Sequence, residues 1–543
     1  MTPIDWGIVI LLNGVIVVYG LFRSRQTQTS SDWFLAGRSL PWWIVGLSLW
    51  ATAIDSSDLV ADSGFTYETG IMYFVGNWLG GVTGWVVAAN FIFLPMYRAG
   101  MYTNAEYLEA RFGVAARVIS VFVQVQYRTL ILGIIANTMY LVFAIVCGWD
   151  DVSSWTCVVA IALLASVYTA LGGLKSVAIT DAMQTIIMVV GALVFFFLLW
   201  SKVGGWSGLE TRLDAHQAGL ANELLHIGTP TENVPNIVWG CFSFFIIGFM
   251  YAIVNHTQSM RFFGSRSEWD LRMAVVPASA ILLVTTFINL MVGIMGRGLY
   301  PELSALPLDE SLQKGDSIYP LLINEVATVG LKGLIVAGVV ASIFSTFDSI
   351  GSTLSSLLVR DVYARLVKRD GDDRHYLSVG RWLTPVIIFG SFGYVPFMGG
   401  GMLLYYLDLV GAFVVPLLTM YLMGSFTRVH RRSGSIGLIL GVIYGLGRLV
   451  WPDLYPGILA DKFAAYFFTI LATAGTMVIA SLVMGWQPRG ELLHEEQSGW
   501  LRQSQLEARQ LAISEDKSRS DALPLTLGII LIAVAVGLVV LFW

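Results

Sequence analysis

Three acidic side chains lie on one face of a predicted membrane helix near the N-terminus. Asp55, Asp58 and Asp62 are spaced at i, i+3 and i+7, which aligns them along a continuous helix. Carboxylates on one stripe repel each other, and inside a bilayer each is costly unless it is paired, hydrated or neutralised. Their small and hydroxylic neighbours, such as Ala51 and Thr52, favour a locally unwound helix whose freed carbonyl oxygens bind a cation. The pattern favours a binding role for Asp58, and for Asp62 a hydrated outer vestibule is an equal alternative.

A second polar stripe follows in the predicted ninth span. Its hydroxyl residues recur at spacings of three and four and so share one face: Ser342, Ser345, Thr346 and Ser349. Hydroxyl and carbonyl oxygens are the ligands that hard cations prefer. Buried hydroxyls also bond to the preceding turn or join helices, and the pattern alone favours that explanation. Asp348 changes the balance, because a carboxylate in mid-span is rarely without function.

A further intramembrane carboxylate follows a glycine pair. Gly172 and Gly173 end one predicted span, and Asp181 lies about two turns into the next. Asp181 needs a cation, a proton or Arg128 as its partner. Arg128 lies within the fourth span and is the only arginine that the sequence places deep in the membrane. A purely structural Asp–Arg pair is an equal alternative for both residues.

The composition places these residues in a membrane protein. The 543-residue chain is 56% hydrophobic and 13% charged, whereas soluble domains carry about 25% charged residues. Apolar runs of about 20 residues, long enough to cross a bilayer, recur along the chain and predict about fourteen helices. These runs are 5–22, 41–64, 71–97, 115–147, 154–171, 177–200, 236–260, 273–297, 330–359, 382–400, 401–425, 434–450, 464–485 and 523–543. The expected fold class is an all-α polytopic membrane protein.

The same composition argues against other classes of protein. A net charge of −5 gives no nucleic-acid signature. The three cysteines have no metal-ligand spacing, and their odd number gives no disulfide framework. The six histidines are scattered, and no nucleophile–base set is arranged for catalysis, so an enzyme is not expected. The first span has no basic residue before it and no cleavage site, which predicts a retained helix.

The placement of Lys and Arg predicts the orientation. These residues are concentrated in 23–40, 98–114, 261–272, 360–381, 426–433 and 486–522, which should be cytoplasmic, with both termini outside. Two groups of five spans, about 41–200 and 236–425, then run in opposite senses, as in an inverted repeat. The chain thus divides into an extra helix and loop over 1–40, a core over 41–425, and three C-terminal helices over 426–543 with a polar loop at about 486–522.

Four stretches resemble the sodium:solute symporter family, which includes the sodium–glucose, proline and sialic-acid symporters. In the family's order, they are Ser31–Trp43 at the N-terminal signature, Thr103–Gly113 in the first cytoplasmic loop, Gly172–Asp181 at the most specific motif and Gly338–Tyr363 in the eighth core helix. The resemblance covers about residues 31–430. It implies a LeuT-type fold of ten core helices in two inverted repeats of five, here residues 41–425.

The resemblance also implies that sodium ions are co-transported. The family's main sodium site lies between core helices one and eight, and its ligands correspond to the carbonyls of Ala51, Ile54 and Ser342 and the hydroxyls of Ser345 and Thr346. Some members hold a second sodium, whose ligands correspond to Asp181, Ser345, Thr346, Asp348 and Ser349. An aspartate where the family often has serine, at position 348, would strengthen the second site.

The family's sugar-binding pattern is not kept. Its sugar-contacting positions correspond to Asp58, Gly248 and Leu407, whereas Tyr251 matches the aromatic inner gate. A buried carboxylate with no fixed partner at Asp58 invites a cationic group on the solute, to which Trp50 and Tyr251 would offer aromatic faces. A neutral polyol that donates hydroxyl hydrogen bonds to Asp58 is an equal alternative.

The sequence therefore predicts sodium-coupled symport of a small organic solute by alternating access. The solute is an amine or zwitterion, or alternatively a sugar or polyol. A membrane solute sensor is the rival class, although no segment resembles a signalling domain. The expected partners are the solute, sodium and the lipid bilayer. The expected location is the plasma membrane, as a bacterial inner-membrane protein, and a monomer is favoured.

Overall fold

The chain folds into a bundle of helices. The computed structural model describes residues 1–24, 29–302, 315–397, 402–488, 492, 499–513 and 522–543. Within these residues, the only strand-like pairing recorded is an isolated bridge between Leu40 and Ser265. The predicted all-α class is confirmed.

Twenty-one helical segments build the described part of the chain. They are α1 Pro3–Ser24, α2 Ser30–Leu35, α3 Trp42–Ala51, α4 Ser56–Thr69, α5 Gly76–Arg98, α6 Asn104–Phe112, α7 Val114–Val146, α8 Asp151–Val203, α9 Gly205–His216, α10 Leu220–Leu225, α11 Ile237–Val254, α12 His256–Phe263, α13 Glu268–Leu299, α14 Ile318–Val326, α15 Leu331–Val367, α16 Asp373–Gly390, α17 Met402–Phe426, α18 Ser433–Val450, α19 Ala464–Met484, α20 Gly499–Ile513 and α21 Ala522–Leu541. Short 3₁₀ turns join some of them.

The helices agree with the predicted spans except at 382–400, which has no counterpart among the apolar helices and whose last residues, 398–400, lie outside the described part of the chain. In the described part, 11 helices are long and apolar enough to cross a membrane, or up to 12 if the bent pair α3 and α4 counts as one span. α8 contains both predicted spans 154–171 and 177–200. At 53 residues it is about 80 Å long, far more than one crossing of ~30 Å needs.

A kink at Gly173 divides α8. Its φ of 64° lies in the left-handed region, and a Cβ there would lie 2.7 Å from Cα of Trp33. Glycine is the residue that tolerates both conditions. The kink turns the chain so that Asp181, in the second half of α8, faces the core and is fully buried.

The first helix of each predicted five-span group is interrupted. α3 and α4 meet at an angle of 50°, and Asp55 caps α4 by accepting a hydrogen bond from Ser57 N at 2.8 Å. In the second group, α11 ends before Asn255, whose side chain caps α12 by accepting from Thr257 N at 3.0 Å. Acidic and amide side chains stabilise such helix starts because they satisfy the free N–H groups of the first turn. Both interruptions lie beside α15. An apolar stretch of 18 residues in α15 is 94% buried.

The segments rich in Lys and Arg gather at one end of the molecule. Leu40 N bonds to Gly264 O at 3.1 Å, Arg111 donates to Val429 O at 2.7 Å, and the Trp500 indole donates to Asp373 at 2.8 Å. The predicted loop 486–522 is therefore more than a linker, since α20 packs against this end. At the opposite end, Met1 contacts Cys147 and Ile227 N bonds to Phe542 O, so both termini share one side as predicted.

A buried ion cluster closes the end that carries Lys and Arg. Arg117 on α7 bonds to Glu109 at 2.5 Å and to Asp361 at 2.6 Å, and all three side chains are buried. Thr103 also donates to Asp361, at 2.9 Å. The cluster joins two of the family-like motifs, because Thr103 and Glu109 belong to one and Asp361 to the other.

Candidate functional site

A cluster of neutral oxygens lies where α15 passes the break between α3 and α4. The hydroxyl of Ser345 donates to the carbonyl of Ala51 at 3.0 Å and to that of Ser342 at 2.8 Å. Thr346 donates to the same Ser342 carbonyl, at 3.1 Å. All four residues are fully buried, and Ile54, the fifth predicted ligand, is 3% exposed. Carbonyl and hydroxyl oxygens converge here without a carboxylate, which suits a hard monovalent cation.

The break frees the carbonyl of Ala51 because the hydrogen bonds of α3 end there. Ala53 N and Ile54 N both turn back to Trp50 O, at 2.9 and 3.0 Å, which leaves Ala51 O to Ser345. Tyr251 on α11 donates to Thr52 O, and Gln258 on α12 donates to the Thr52 hydroxyl at 3.0 Å. The break in the first group is thereby held by side chains of the second.

The predicted second sodium site already contains a cation. Asp181 accepts hydrogen bonds from the guanidinium of Arg261 at 2.8 Å and from Ser48 at 2.5 Å. The same guanidinium bonds to Ser349. The partner of Asp181 is thus Arg261 rather than Arg128, and Arg128 is not the only deep arginine. Arg261 was assigned to a loop because the predicted span ended at 260, whereas the chain continues as α12.

Asp348 has hydrogen-bond donors of its own. Tyr168 on α8 donates to one carboxylate oxygen at 2.5 Å, and Ser349 donates to the other at 3.1 Å. Ser349 also accepts a hydrogen bond from Arg261, which in turn bonds to Asp181. Ser349 therefore connects Asp348 to the pair of Arg261 and Asp181. Ser345 and Thr346, the remaining predicted ligands of this site, are bonded within the neutral cluster.

A cavity opens on the other side of the break. It is bounded by α4, α5, α7, α11, α13 and the start of α17. Its polar side chains are Asp55, Ser57, Asp58, Asp62, Tyr73, Asn77, Arg128, Tyr251 and Tyr406, with Trp85 as an aromatic wall. Three of the five predicted substrate positions line it: Asp58, Gly248 and Tyr251.

The three acidic residues have different surroundings in this cavity. Asp58 has a fixed partner, contrary to the prediction, because it accepts from Asp55 N at 2.7 Å in a reciprocal cap of α4. The carboxylate of Asp55 accepts a hydrogen bond from Ser57 N. Asp62 is 3% exposed and accepts from Tyr73 at 3.3 Å through one oxygen, and its other oxygen has no protein partner.

Arg128 is the positive group in this cavity. Its side chain is 2% exposed, and its guanidinium carbon lies 5.4 Å from the ring centre of Tyr127 and 5.6 Å from that of Tyr251. Two of its nitrogens, Nε and Nη2, have no hydrogen-bond partner in the protein. A buried guanidinium with free donors is prepared to bind an acceptor on a ligand.

The other two predicted substrate positions lie outside the cavity lining. The Trp50 indole is buried and donates to Thr285 at 3.0 Å, because α3 turns it towards α13. Leu407 is 5% exposed, and its carbonyl accepts from Tyr466; its neighbour Tyr406 lines the cavity instead. Gly248 lines the cavity through its backbone, and a Cβ there would collide with the carbonyl of Gly76 on α5.

Several cavity residues are not predicted by the sequence. Tyr73, Asn77 and Tyr406 carry no local signal, because single polar residues in apolar spans are common at helix contacts. Arg128 was noticed but was considered only as a partner for Asp181. A stripe of free polar groups becomes visible only when five helices are brought together.

The fold and the site together define a class of protein. Broken helices at membrane depth, a neutral-oxygen cation site and an adjacent polar cavity are features of secondary transporters. Residues 33–445 match the sodium:solute symporter family. The chain belongs to this family: it is a transporter rather than an enzyme, and sodium is its co-transported ion.

Curated relatives are similar over most of the chain. A sodium/glucose cotransporter 4 from Danio rerio is 26% identical over 554 residues, which cover 93% of this chain and 82% of that protein. A sodium/myo-inositol cotransporter 2 from Homo sapiens is 26% identical over 531 residues, which cover 90% of this chain and 77% of that protein.

Solved structures share the fold. A Na⁺-coupled sialic acid symporter in a substrate-bound outward-open state matches with a TM-score of 0.76 and 21% identity, over 90% of this chain and 99% of that one. A nucleobase-cation-symport-1 family transporter in a closed conformation matches with a TM-score of 0.55 and 11% identity, over 89% and 99%. The predicted LeuT-type fold is confirmed by this likeness.

Proposed function

We propose that the chain couples the uptake of a small, neutral, polyhydroxylated solute to sodium by alternating access. The main support for this solute class is the cavity beside the break. There the buried Asp62 presents a free acceptor oxygen and the buried Arg128 presents two free donors. A polyol supplies both donors and acceptors, so it satisfies both residues at once. The relatives named for glucose and myo-inositol support the same solute class.

The proposed main sodium ligands are the five oxygens predicted from the sequence. Ala51, Ile54 and Ser342 provide carbonyls, and Ser345 and Thr346 provide hydroxyls. Hydrogen bonds join four of these residues into one cluster, which supports the assignment. Sodium needs little rearrangement there, so little of its binding energy is lost in ordering the site.

The break lies between the sodium cluster and the solute cavity, and this position couples the binding of sodium to the binding of the solute. Ala51 belongs to the sodium cluster, whereas Ala53, Asp55 and Asp58 line the cavity. Sodium binding to the carbonyls orders the break and so fixes the wall that the solute contacts. Each ligand then binds more tightly when the other is present, and the effect is reciprocal.

A cationic amine is the second candidate solute. Three carboxylates line the cavity against one guanidinium, and this excess of negative charge favours a positive ligand. The arrangement weakens this alternative in two ways. Asp58 already caps α4, and Arg128 in the same cavity repels a cation.

A competition experiment distinguishes the two candidates. Purified transporter in proteoliposomes is offered radiolabelled myo-inositol in a sodium gradient, with an excess of unlabelled glucose, xylitol, choline or ethanolamine. The proposal expects inhibition by the polyols and none by the amines. Sodium-dependent uptake of labelled choline together with no uptake of any polyol would reverse the assignment.

The proposed location and assembly follow from the same features. The end that carries Lys and Arg faces the cytoplasm, in agreement with the preference of short basic segments for that side. We place the chain in the plasma membrane, as a bacterial inner-membrane protein. One chain supplies the whole cavity and the whole sodium cluster, so a monomer suffices for transport.

A further inference from the structure

Arg261 lies at the point where four helices of the core meet. Its nitrogens bond to Ser48 on α3 at 2.7 Å, to Asp181 on α8 at 2.8 Å and to Ser349 on α15. A further bond, to Thr257 O at 2.7 Å, anchors the guanidinium to its own helix. The side chains of Arg261 and Asp181 are both fully buried.

We propose that Arg261 is a tethered cation that replaces a second transported sodium, so that the chain binds one sodium ion per transport cycle. The inference rests on the sodium-coupled symport proposed above. The guanidinium bonds to two of the predicted ligands of the second site, Asp181 and Ser349. A positive charge fixed there excludes a sodium ion by repulsion and by occupying the oxygens that it needs.

The chemistry of the surrounding groups supports this role. Asp181 and Ser48 are held by the guanidinium through short, charge-assisted bonds, which are stronger than neutral ones. Only one oxygen of Asp181, Oδ1, has no protein partner, and a single free oxygen does not make a sodium site, since hard cations take several oxygen ligands. Asp348 is bonded separately to Tyr168 and Ser349.

Removal of the guanidinium converts this cluster into a cation site. Asp181 would lose its charged partner and keep only the hydrogen bond from Ser48, and the hydroxyls of Ser48 and Ser349 would lose their charged donor. The vacated space would be fully buried and lined by a carboxylate and two hydroxyls. A buried carboxylate without its charged partner is strongly unfavourable, and the two hydroxyls beside it supply the additional oxygen ligands that favour a sodium ion over a proton.

The test is equilibrium binding of ²²Na⁺ alone to purified full-length protein in detergent. The wild type is expected to bind one ion per chain and Arg261→Gln two. Arg261→Gln combined with Asp181→Asn should return to one, because the recruiting charge is gone. Arg266→Gln is the matched control, since the Arg266 side chain is 46% exposed and pairs with Asp270 at the start of α13, and it should bind one.

Each outcome decides the inference. Two ions bound to the wild type overturn it, and this measurement does not depend on any variant folding. An Arg261→Gln protein that is monodisperse yet still binds one ion also overturns it. No sodium bound to any form contradicts sodium symport itself, so failure of the inference and failure of the proposed function give different results.

Discussion

The hydroxyl of Ser345 donates a hydrogen bond to the carbonyl of Ala51 at 3.0 Å, although the two residues are 294 positions apart in the chain. This contact joins the buried helix α15 to the break between α3 and α4. Both partners are neutral and fully buried. It defines the edge of the cluster to which we assign sodium, and the first prediction follows from it.

Removal of the two hydroxyls should weaken sodium binding. Ser345→Ala and Thr346→Ala each delete one ligand, and a bond to a charged group contributes about 1.5–3 kcal/mol. Each change should raise the half-saturating sodium concentration for uptake roughly 10- to 100-fold, and the double change should nearly abolish uptake. Unchanged sodium dependence in a folded double variant would contradict the assignment. Thr476→Ala, on α19 and away from the cluster, is the control.

Neutralisation of the two free polar groups in the cavity should weaken solute binding. Asp62→Asn and Arg128→Gln each remove a charged partner, so the solute KM should rise roughly 10- to 100-fold. The apparent sodium affinity measured without solute should change little. Leu407→Met, outside the cavity, should leave KM unchanged. Equal KM values for Asp62→Asn, Arg128→Gln and the wild type would place the solute elsewhere.

A methyl group at position 248 should destabilise the core. Gly248→Ala directs a Cβ at the Gly76 carbonyl, and overpacking of this kind costs about 1–3 kcal/mol. Gly14→Ala is the matched control, because no heavy atom lies within 4 Å of a Cβ there. We expect a lower apparent melting temperature for Gly248→Ala by fluorescence-detected size exclusion, and an equal or higher one for Gly14→Ala. Equal melting temperatures for both variants would contradict the packing described.

Loss of the buried Arg117 should destabilise the end that it closes. Arg117→Gln leaves Asp361 without its charged partner, whereas Glu109 keeps Arg365 at 2.7 Å, and breaking a buried pair in this way costs about 3–5 kcal/mol. Arg98 and Glu268 also form a short pair, but the Arg98 side chain is 59% exposed, so Arg98→Gln should cost less than about 1 kcal/mol. The measurement is the yield and melting temperature of each purified variant. Comparable losses for both would contradict the role of burial.

The sequence predicted the helices well because apolar runs of this length have one common explanation. It also predicted a locally unwound helix near Asp55, from its small and hydroxylic neighbours such as Ala51 and Thr52. The local pattern suffices there, since helix interruption and capping depend on neighbouring residues.

The substrate cavity was predicted less well, because its lining depends on helix rotation and packing. Leu407 corresponds to a sugar-contacting position in the family, and Trp50 was expected to offer an aromatic face to the solute, yet neither residue lines the cavity. Asp58 was expected to lack a partner, whereas it caps α4. Tertiary contacts decide such details, and a single sequence does not encode them locally.

The role of Arg261 was missed for a similar reason. The hydropathy pattern ends the predicted span at residue 260 and so assigns Arg261 to a basic loop. The helix instead breaks at Asn255 and restarts as α12, which carries Arg261 into the core beside Asp181. Arg261 and Asp181 are 80 positions apart in the chain, so no local spacing pattern indicates that they form an ion pair.

An inward sodium gradient is expected to drive the accumulation of the solute inside the cell. The most direct measurement is uptake of labelled myo-inositol and glucose into proteoliposomes, with an inside-negative potential that contributes ~2.3 kcal/mol per 100 mV for each positive charge moved. We predict accumulation above the external concentration when sodium is outside, and none when choline replaces it. Equal accumulation in choline, or solute binding without any uptake, would contradict sodium-coupled symport.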